Sequence, residues 1–376
     1  MMTRPLALLT VAIAIVGAVS MVLAPITASV ANDLGTRPED VVLATAGFGV
    51  ATMFSALFLA PRADVIGADN ALKQALLVQI AGLGLSALAP NVAILIIAQT
   101  ICGIGSGMGL PAIYGLAPQA AVKGQENRAV GIVLSGWVLA LTAGVAGGGF
   151  VAEYLGWRSV YIIFFTLAVS LRLTLIRIDL PASRGAPATS PLTALRVPGI
   201  WRGLFAAFTL MLAFYGTYAF LGAHVGDVLA RGSDGAGFVT LCYGTGFGLS
   251  LLLDRPLERL AHHVAGSIAM AGLALVYAAM ALSGAGYYAM LGLALAWGLT
   301  QHAGLNFAVS RLAALDPLQR GAVLGLNSAV TYLAVVGGAI LFRLPYDAGG
   351  LVACAAISAV IAAMGAAEAA WPNRRR

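Results

Sequence analysis

Stretches of some twenty residues without a formal charge recur along the whole chain. Residues 5–32, 41–61, 129–152, 203–226, 235–253, 321–342 and 348–367 contain no Asp, Glu, Lys or Arg. A helix needs about 20 mainly apolar residues to cross roughly 30 Å of hydrocarbon, and each run meets that length. Two further uncharged runs, 74–122 and 260–310, are of double length. Ala89-Pro90-Asn91 interrupts the first and Ser283-Gly284-Ala285-Gly286 the second, so each reads as two helices joined by a turn. The shortest run, 159–171, is bounded by Arg158 and Arg172, whose long side chains can reach the interface while their stems stay in the apolar layer. The total is twelve spans, and because helices satisfy their own backbone groups in lipid, the fold class is an all-α membrane protein. Only 10% of the 376 residues are charged and 60% are hydrophobic, against roughly 25% charged in soluble domains. That excludes a cytosolic enzyme, a nucleic-acid-binding domain and a disordered chain.

The basic residues orient the spans. With the N-terminus inside, Arg4, Arg62, Lys73, Lys123, Arg128, Arg172, Arg177, Arg184, Arg196, Arg202, Arg255, Arg259, Arg311, Arg320 and Arg374 to Arg376 fall on the cytoplasmic side. Arg37, Arg158, Arg231 and Arg343 fall opposite, seventeen against four. Cytoplasmic loops carry such an excess, so both termini are expected in the cytoplasm. A missed span would invert the bias downstream of it, so the asymmetry also supports the count. The first apolar run, of about 26 residues, exceeds the 7–15 of a secretory signal's core and reads as a span rather than a leader. Cys102, Cys242 and Cys354 lie far apart in apolar stretches, a pattern of neither a disulfide framework nor a metal knuckle.

The longest polar interruption, Arg177 to Arg202, holds Asp179-Leu180-Pro181, Arg184 and Pro198. It divides the chain into six spans, 1–178, a cytoplasmic linker, 179–200, and six more, 201–376. Two such halves with a substrate path between them are a transporter layout. Charged residues after the second span of each half, Arg62, Asp64 and Asp69 in one and Asp254, Arg255, Glu258 and Arg259 in the other, fit a duplication.

Several motifs resemble the major facilitator superfamily, over essentially the whole chain. Its loop between spans two and three usually reads G-x-L-A-D-R-x-G-R-R. Here Ala60-Pro61-Arg62-Ala63-Asp64-Val65-Ile66-Gly67-Ala68-Asp69 keeps Asp64 and Gly67 and loses the basic positions. The drug:proton antiporter and sugar-efflux branch shows G-P-x-x-G-G and then G-W-R. This chain has Gly144-Val145-Ala146-Gly147-Gly148-Gly149 and then Gly156-Trp157-Arg158, with Val145 in place of the proline. Gln99 precedes the glycine run Gly103-Ile104-Gly105-Ser106-Gly107 where that branch carries an arginine, and Asp316-Pro317-Leu318-Gln319-Arg320-Gly321 also looks like the family. The resemblance implies two pseudo-symmetric six-helix bundles in a bacterial inner membrane, working as a monomer on a small-molecule substrate by alternating access. It also implies a gating role for Asp64, Gly67, Gly144, Gly148, Gly149 and Arg158. Gly144, Gly148 and Gly149 lie on nearly one helical face and let helices approach closely, whether for packing alone or for sliding between states. Glu153 reads as a partner for Arg158.

The most informative feature is that no Asp, Glu, Lys or Arg stands at the expected mid-depth of any span. A buried carboxylate is the usual proton carrier and counter-ion, so a neutral, zwitterionic or weakly charged organic solute fits better than a polycation. His302 is the candidate proton-coupling group, its ordinary pKa lying near 6.5. Apolar walls with a few convergent hydrogen-bonding groups describe a small-molecule site. The candidate lining is Gln99 in span four, Phe208, Met211, Tyr215 and Tyr218 in span seven, Trp297, Gln301, His302 and Asn306 in span ten, and Asn327 and Tyr332 in span eleven. At helical spacing the same stripes also serve as core. No cofactor, metal or nucleic acid is expected. Protons are the candidate coupling ion for efflux; an uncoupled facilitator or uptake permease of the same fold is compatible with the same residues. A receptor or scaffold would need a soluble domain, for which the loops are too short.

Overall fold

A computed structural model describes residues 3–122, 125–178, 180, 190–252, 260–284, 286–316 and 319–371. Among them the ordered elements are helical. We number the long helical runs α1 (Arg4–Met21, continuing as Leu23–Leu34), α2 (Pro38–Phe58), α3 (Ala68–Ala87), α4 (Val92–Gln119) and α5 (Glu126–Leu134, Gly136–Leu139, Ala140–Ala146 and Gly147–Leu155 in succession). They continue as α6 (Trp157–Ile176), α7 (Ile200–Tyr218, then Leu221–Ala223 and His224–Val228), α8 (Ser233–Leu249 and Ser250–Leu252), α9 (His262–Leu282), α10 (Tyr287–Ala313), α11 (Arg320–Leu341) and α12 (Arg343–Ala370). Ten of these are long and apolar enough to cross a membrane. The two that fall short are α3, diluted by Asp69, Lys73, Gln74 and Gln79, and α10, diluted by Thr300, Gln301, His302 and Asn306. Neighbours cover both: α3 packs on α4 and α6, and α10 on α7, α8 and α9.

The expected breaks have local causes. Asn91 starts α4 by accepting a hydrogen bond from the Ile94 amide at 3.0 Å, the usual service of an N-cap side chain. Gly284 turns the chain between α9 and α10 at φ 66°. Gly67 and Gly156, at φ 91° and 81°, end one helix and begin the next in a conformation that suits glycine. The first accounts for the survival of Gly67 in a loop that has lost its basic residues. In α5, the stretch Ala140–Ala146 has the wider π-helical hydrogen bonding, which is rare and recurs at functional sites.

Helices α1 to α6 pack among themselves, as do α7 to α12, and the two sets meet through α2 with α11, α5 with α8, and α1 with α7 and α8. Glycine sets how closely they sit. On α4, Gly103 and Gly107 face the backbone of α2, while Gly105 faces Ala75 and Gln79 of α3. Thr52 and Ser55 of α2 then donate to the α4 carbonyls of Gly103 (3.0 Å) and Ile104 (2.7 Å). Such close approach is how helices associate where lipid supplies no hydrophobic drive between them. In the second half, Gly246 of α8 lies on the Leu295 carbonyl of α10, and Gly298 of α10 on the Tyr243 carbonyl of α8. Gly298→Ala should therefore lower the stability of the solubilised protein by about 1–3 kcal/mol, the usual cost of overpacking. Gly292 of the same helix has open space around it, so Gly292→Ala should leave the melting temperature unchanged or raise it. Equal effects in thermal unfolding would contradict this packing.

Candidate functional site

The halves meet at mid-helix, where Gly49 of α2 packs on Val335 of α11 and Gly244 of α8 on Leu141 of α5, and again at one end. Here α1 ends, α2 begins, α5 ends, α7 ends, and α8 and α12 begin. Gly222 of α7 lies against the Ala24 carbonyl of α1, and Gly226 against Ala28. Gly149 of α5 faces the Ser233 carbonyl and Gly237 of α8, with Phe150 edge-on to Phe238 at 4.8 Å. Arg343 of α12 donates to Asp40 of α2 at 2.9 Å. Glu153 of α5 accepts from the Ser233 amide at 2.7 Å, where a carboxylate also meets the positive end of the α8 dipole. We call this the closed end.

Arg158 does not pair with Glu153. It binds Asp33 at the end of α1 and donates to the Ala89 carbonyl at 3.0 Å, its guanidinium lying 4.4 Å from the Trp157 ring centroid. Trp157 also donates to Asp33, at 3.1 Å. Arg158 therefore ties α1, α6 and the α3–α4 turn within the first half, and the acid assigned to it reaches across to the second. The three α5 glycines likewise split. Gly144 and Gly148, four apart, pack on Ala18 and Val22 of α1, whereas Gly149 packs on α8, because one further residue turns the contact by about 100° of helix. The Asp64 side chain lies outside the described residues.

The span-seven stripe is packed. Met211, Tyr215 and Tyr218 are buried and Phe208 half-buried. Tyr218 stacks on Phe214 (centroids 5.1 Å apart), which in turn lies 5.2 Å from Trp297. Trp297 is fully buried and donates to the Tyr277 hydroxyl at 2.9 Å. Around Ser20, Met21, Ala24, Thr45, Tyr215, Tyr218 and Ala219 the remaining cavity is about 10 Å³, room for one water. Of the candidate lining, Met211, Tyr215, Tyr218 and Trp297 are thus packed as core. Gln99 donates to Ser86 of α3 at 3.1 Å, so its partner is protein. Gln301 is buried, and its carbonyl oxygen has no hydrogen-bond partner among the described residues. His302 is half-buried, edge-on to Phe247 at 4.7 Å, and Asn306, on the same helix face, is exposed. Asn327 is half-buried on α11, and Tyr332 packs beside Phe48 of α2 at 6.2 Å.

Towards the other end the first half contributes a pair that sequence reading passed over. Tyr114 of α4 accepts from the indole of Trp137 of α5 at 3.1 Å. Tyr114 is 37% exposed. Its only signal in sequence was a pair of aromatics with polar tips, and nothing there linked residue 114 to 137. A second unforeseen cluster ties α7, α10 and α12. Glu368 accepts from Arg202 (2.7 Å) and, through both oxygens, from Arg311 (2.7 and 2.9 Å). The described ion pairs thus stand near helix ends, away from the aromatic core.

With this geometry in view, the similarity to known proteins is direct. The Major Facilitator Superfamily signature matches residues 9–339, and the chain belongs to that family of membrane transporters. It is 27% identical over 366 residues to the uncharacterised MFS-type transporter YwfA of Bacillus subtilis, covering 95% of this chain and 89% of that one. It is also 25% identical over 180 residues to the purine ribonucleoside efflux pump NepI of Escherichia coli, over 46% of this chain and 44% of that one. The crystal structure of the human organic anion transporter MFSD10 shares the fold, with a TM-score of 0.75 at 15% identity over 97% of this chain and 99% of that one.

Asp33 lies just past the uncharged stretch 5–32, about half exposed. Hydrogen bonds from Arg158 and then Trp157 hold its carboxyl below the ordinary value of 3.8. A carboxylate lowered on folding stabilises the folded state above its unfolded pKa and loses that contribution as pH falls through the folded one. Asp33→Asn should therefore flatten the acid side of the stability profile. The difference should stay within about 1 kcal/mol for so exposed a pair, and equal slopes in thermal melts from pH 6 to 3 would contradict it.

Proposed function

We propose that this chain exports a small neutral or zwitterionic organic solute by alternating access, with its closed end facing outward and its cleft open to the cytoplasm. The carrying observation is the asymmetry between the ends: Gly222 on Ala24, Gly149 on Ser233 and Arg343 on Asp40 join the halves at one, while Tyr114, towards the other end of α4, is 37% exposed, which we read as the wall of a cleft. Rigid halves that rock about a central site use such an arrangement. The seventeen basic residues assigned to the open side support the orientation, since that side would be cytoplasmic. Two termini in the cytoplasm and six-helix halves at 1–178 and 201–376 belong to the same reading.

The substrate class rests on the positions of charge. The described ion pairs lie at the helix ends, and the groups near the cleft and core are hydroxyls, amides, indoles and His302. A neutral solute meets hydrogen-bonding partners there without the cost of an unpaired ion. The efflux pump among the relatives carries purine ribonucleosides, which supports both the outward direction and an uncharged polar cargo. His302, an imidazole on α10 that contacts α8, is the proton-coupling group in this reading, with Gln301 and Asn306 beside it.

Two measurements test it. In everted vesicles preloaded with a pH gradient, the wild type should accumulate a solute from a panel containing adenosine. His302→Gln should lose the response to the pH gradient while still carrying solute down its own concentration gradient. Absence of flux under any gradient would refute transport, and wild-type flux indifferent to pH at fixed membrane potential would refute coupling. Independently, a cysteine at Tyr114, in a Cys242→Ser background, should react with an impermeant maleimide from the cytoplasmic face and not from the outer face. The opposite pattern would reverse the orientation.

A further inference from the structure

A proline in α1 frees a backbone carbonyl, and the other half of the molecule uses it. In an α-helix the carbonyl of residue i accepts from the amide of residue i+4. Four residues beyond Met21 stands Pro25, which has no N–H to give. The helix is interrupted here, with Val22 between Arg4–Met21 and Leu23–Leu34, as expected where a proline removes a rung of the ladder. Tyr218 of α7, 197 residues away, donates its hydroxyl to the Met21 carbonyl at 3.2 Å. Both residues are buried, and the space beside them holds at most a water. One turn further on, the same two helices touch at Gly222 and Ala24. A buried carbonyl that loses its partner bears a desolvation penalty, so separating α1 from α7 is disfavoured by more than the contact area.

We propose that Pro25, the Met21 carbonyl and Tyr218 form a latch that sets the equilibrium between the closed and open forms of this end. The inference rests on the alternating-access reading and adds a hydrogen bond that must break when the end opens. Tyr218 acts here through Met21 and not on the solute: it positions α7 on α1, and its ring is held for the purpose by Phe214 and Trp297. Pro25 makes the latch necessary. With an ordinary residue at 25 the carbonyl would be satisfied within its own helix and the tyrosine hydroxyl would no longer be needed there.

The reporter is Ala219→Cys in a Cys242→Ser background. Ala219 borders the small cavity and is buried, so an impermeant maleimide added at the closed face reaches it only when that end opens. Tyr218→Phe, which keeps the ring and removes the donor, should raise the labelling rate roughly tenfold, the population shift for one unsatisfied buried acceptor. Pro25→Ala restores the missing amide, so in that background Tyr218→Phe should change labelling by less than about twofold, a non-additivity that marks a shared interaction. A tenfold increase in both backgrounds would assign Tyr218 to packing alone and overturn the latch, as would no increase in either. Slow labelling of the reporter with Tyr218 and Pro25 intact, from the closed face, is the readout for alternating access: no reaction from that face in any variant would overturn that reading together with the latch. A tyrosine effect that disappears with Pro25→Ala supports both.

Discussion

Contact between helix backbones, made possible by glycine, is the constraint on which the rest of this structure depends. Apolar side chains drive helices into the bilayer but gain little by leaving lipid for one another. Association then relies on close fit and on hydrogen bonds that only close fit permits. Thr52 and Ser55 can reach α4 carbonyls because Gly103 and Gly107 let α2 come near. The same device serves two purposes. Within a half, Gly246 and Gly298 lock α8 to α10; between halves, Gly149, Gly222 and Gly226 present smooth faces at the closed end. The former hold a bundle together, and the latter form part of the seam between the halves.

Charge is arranged to suit that mechanics. Arg158 with Asp33, and Arg202 and Arg311 with Glu368, bind several helices of one half to each other near their ends. Asp40 with Arg343, and Glu153 with the start of α8, cross the seam. Pairs of the first kind stiffen each half as a body, and contacts of the second kind must be exchanged if the bodies move. Keeping ions at the ends avoids the desolvation that an ion pair in the hydrocarbon would suffer. It leaves the middle to neutral hydrogen-bonding groups, whose partners are easier to swap.

The span boundaries were legible because they depend on local chemistry. Asn91 caps α4 and Gly284 turns the chain before α10, where the interruptions in the uncharged runs placed them. Membership in a transporter family was legible for a similar reason: motif glycines such as Gly67 and Gly156 are required by backbone angles that the sequence position alone imposes. The candidate lining was less readable. Helical spacing put Tyr215, Tyr218 and Trp297 on shared faces, but the same spacing suits a cleft wall and a core, and here these three are core. Gln99 illustrates the same limit: an amide in an apolar helix needs a partner, and Ser86, thirteen residues earlier, supplies it.

By itself the sequence determined the all-helical class, the breaks at Asn91 and Gly284, the apolar character of the segments and the absence of formal charge from their centres, because each of these follows from neighbours a few residues apart. Tertiary structure decided which acid meets which base, which glycine of α5 faces α1 and which faces α8, and that a tyrosine in one half completes a carbonyl opened by a proline in the other. Those choices join residues as far as 303 positions apart. They are settled by the relative placement of whole helices, which no local pattern encodes.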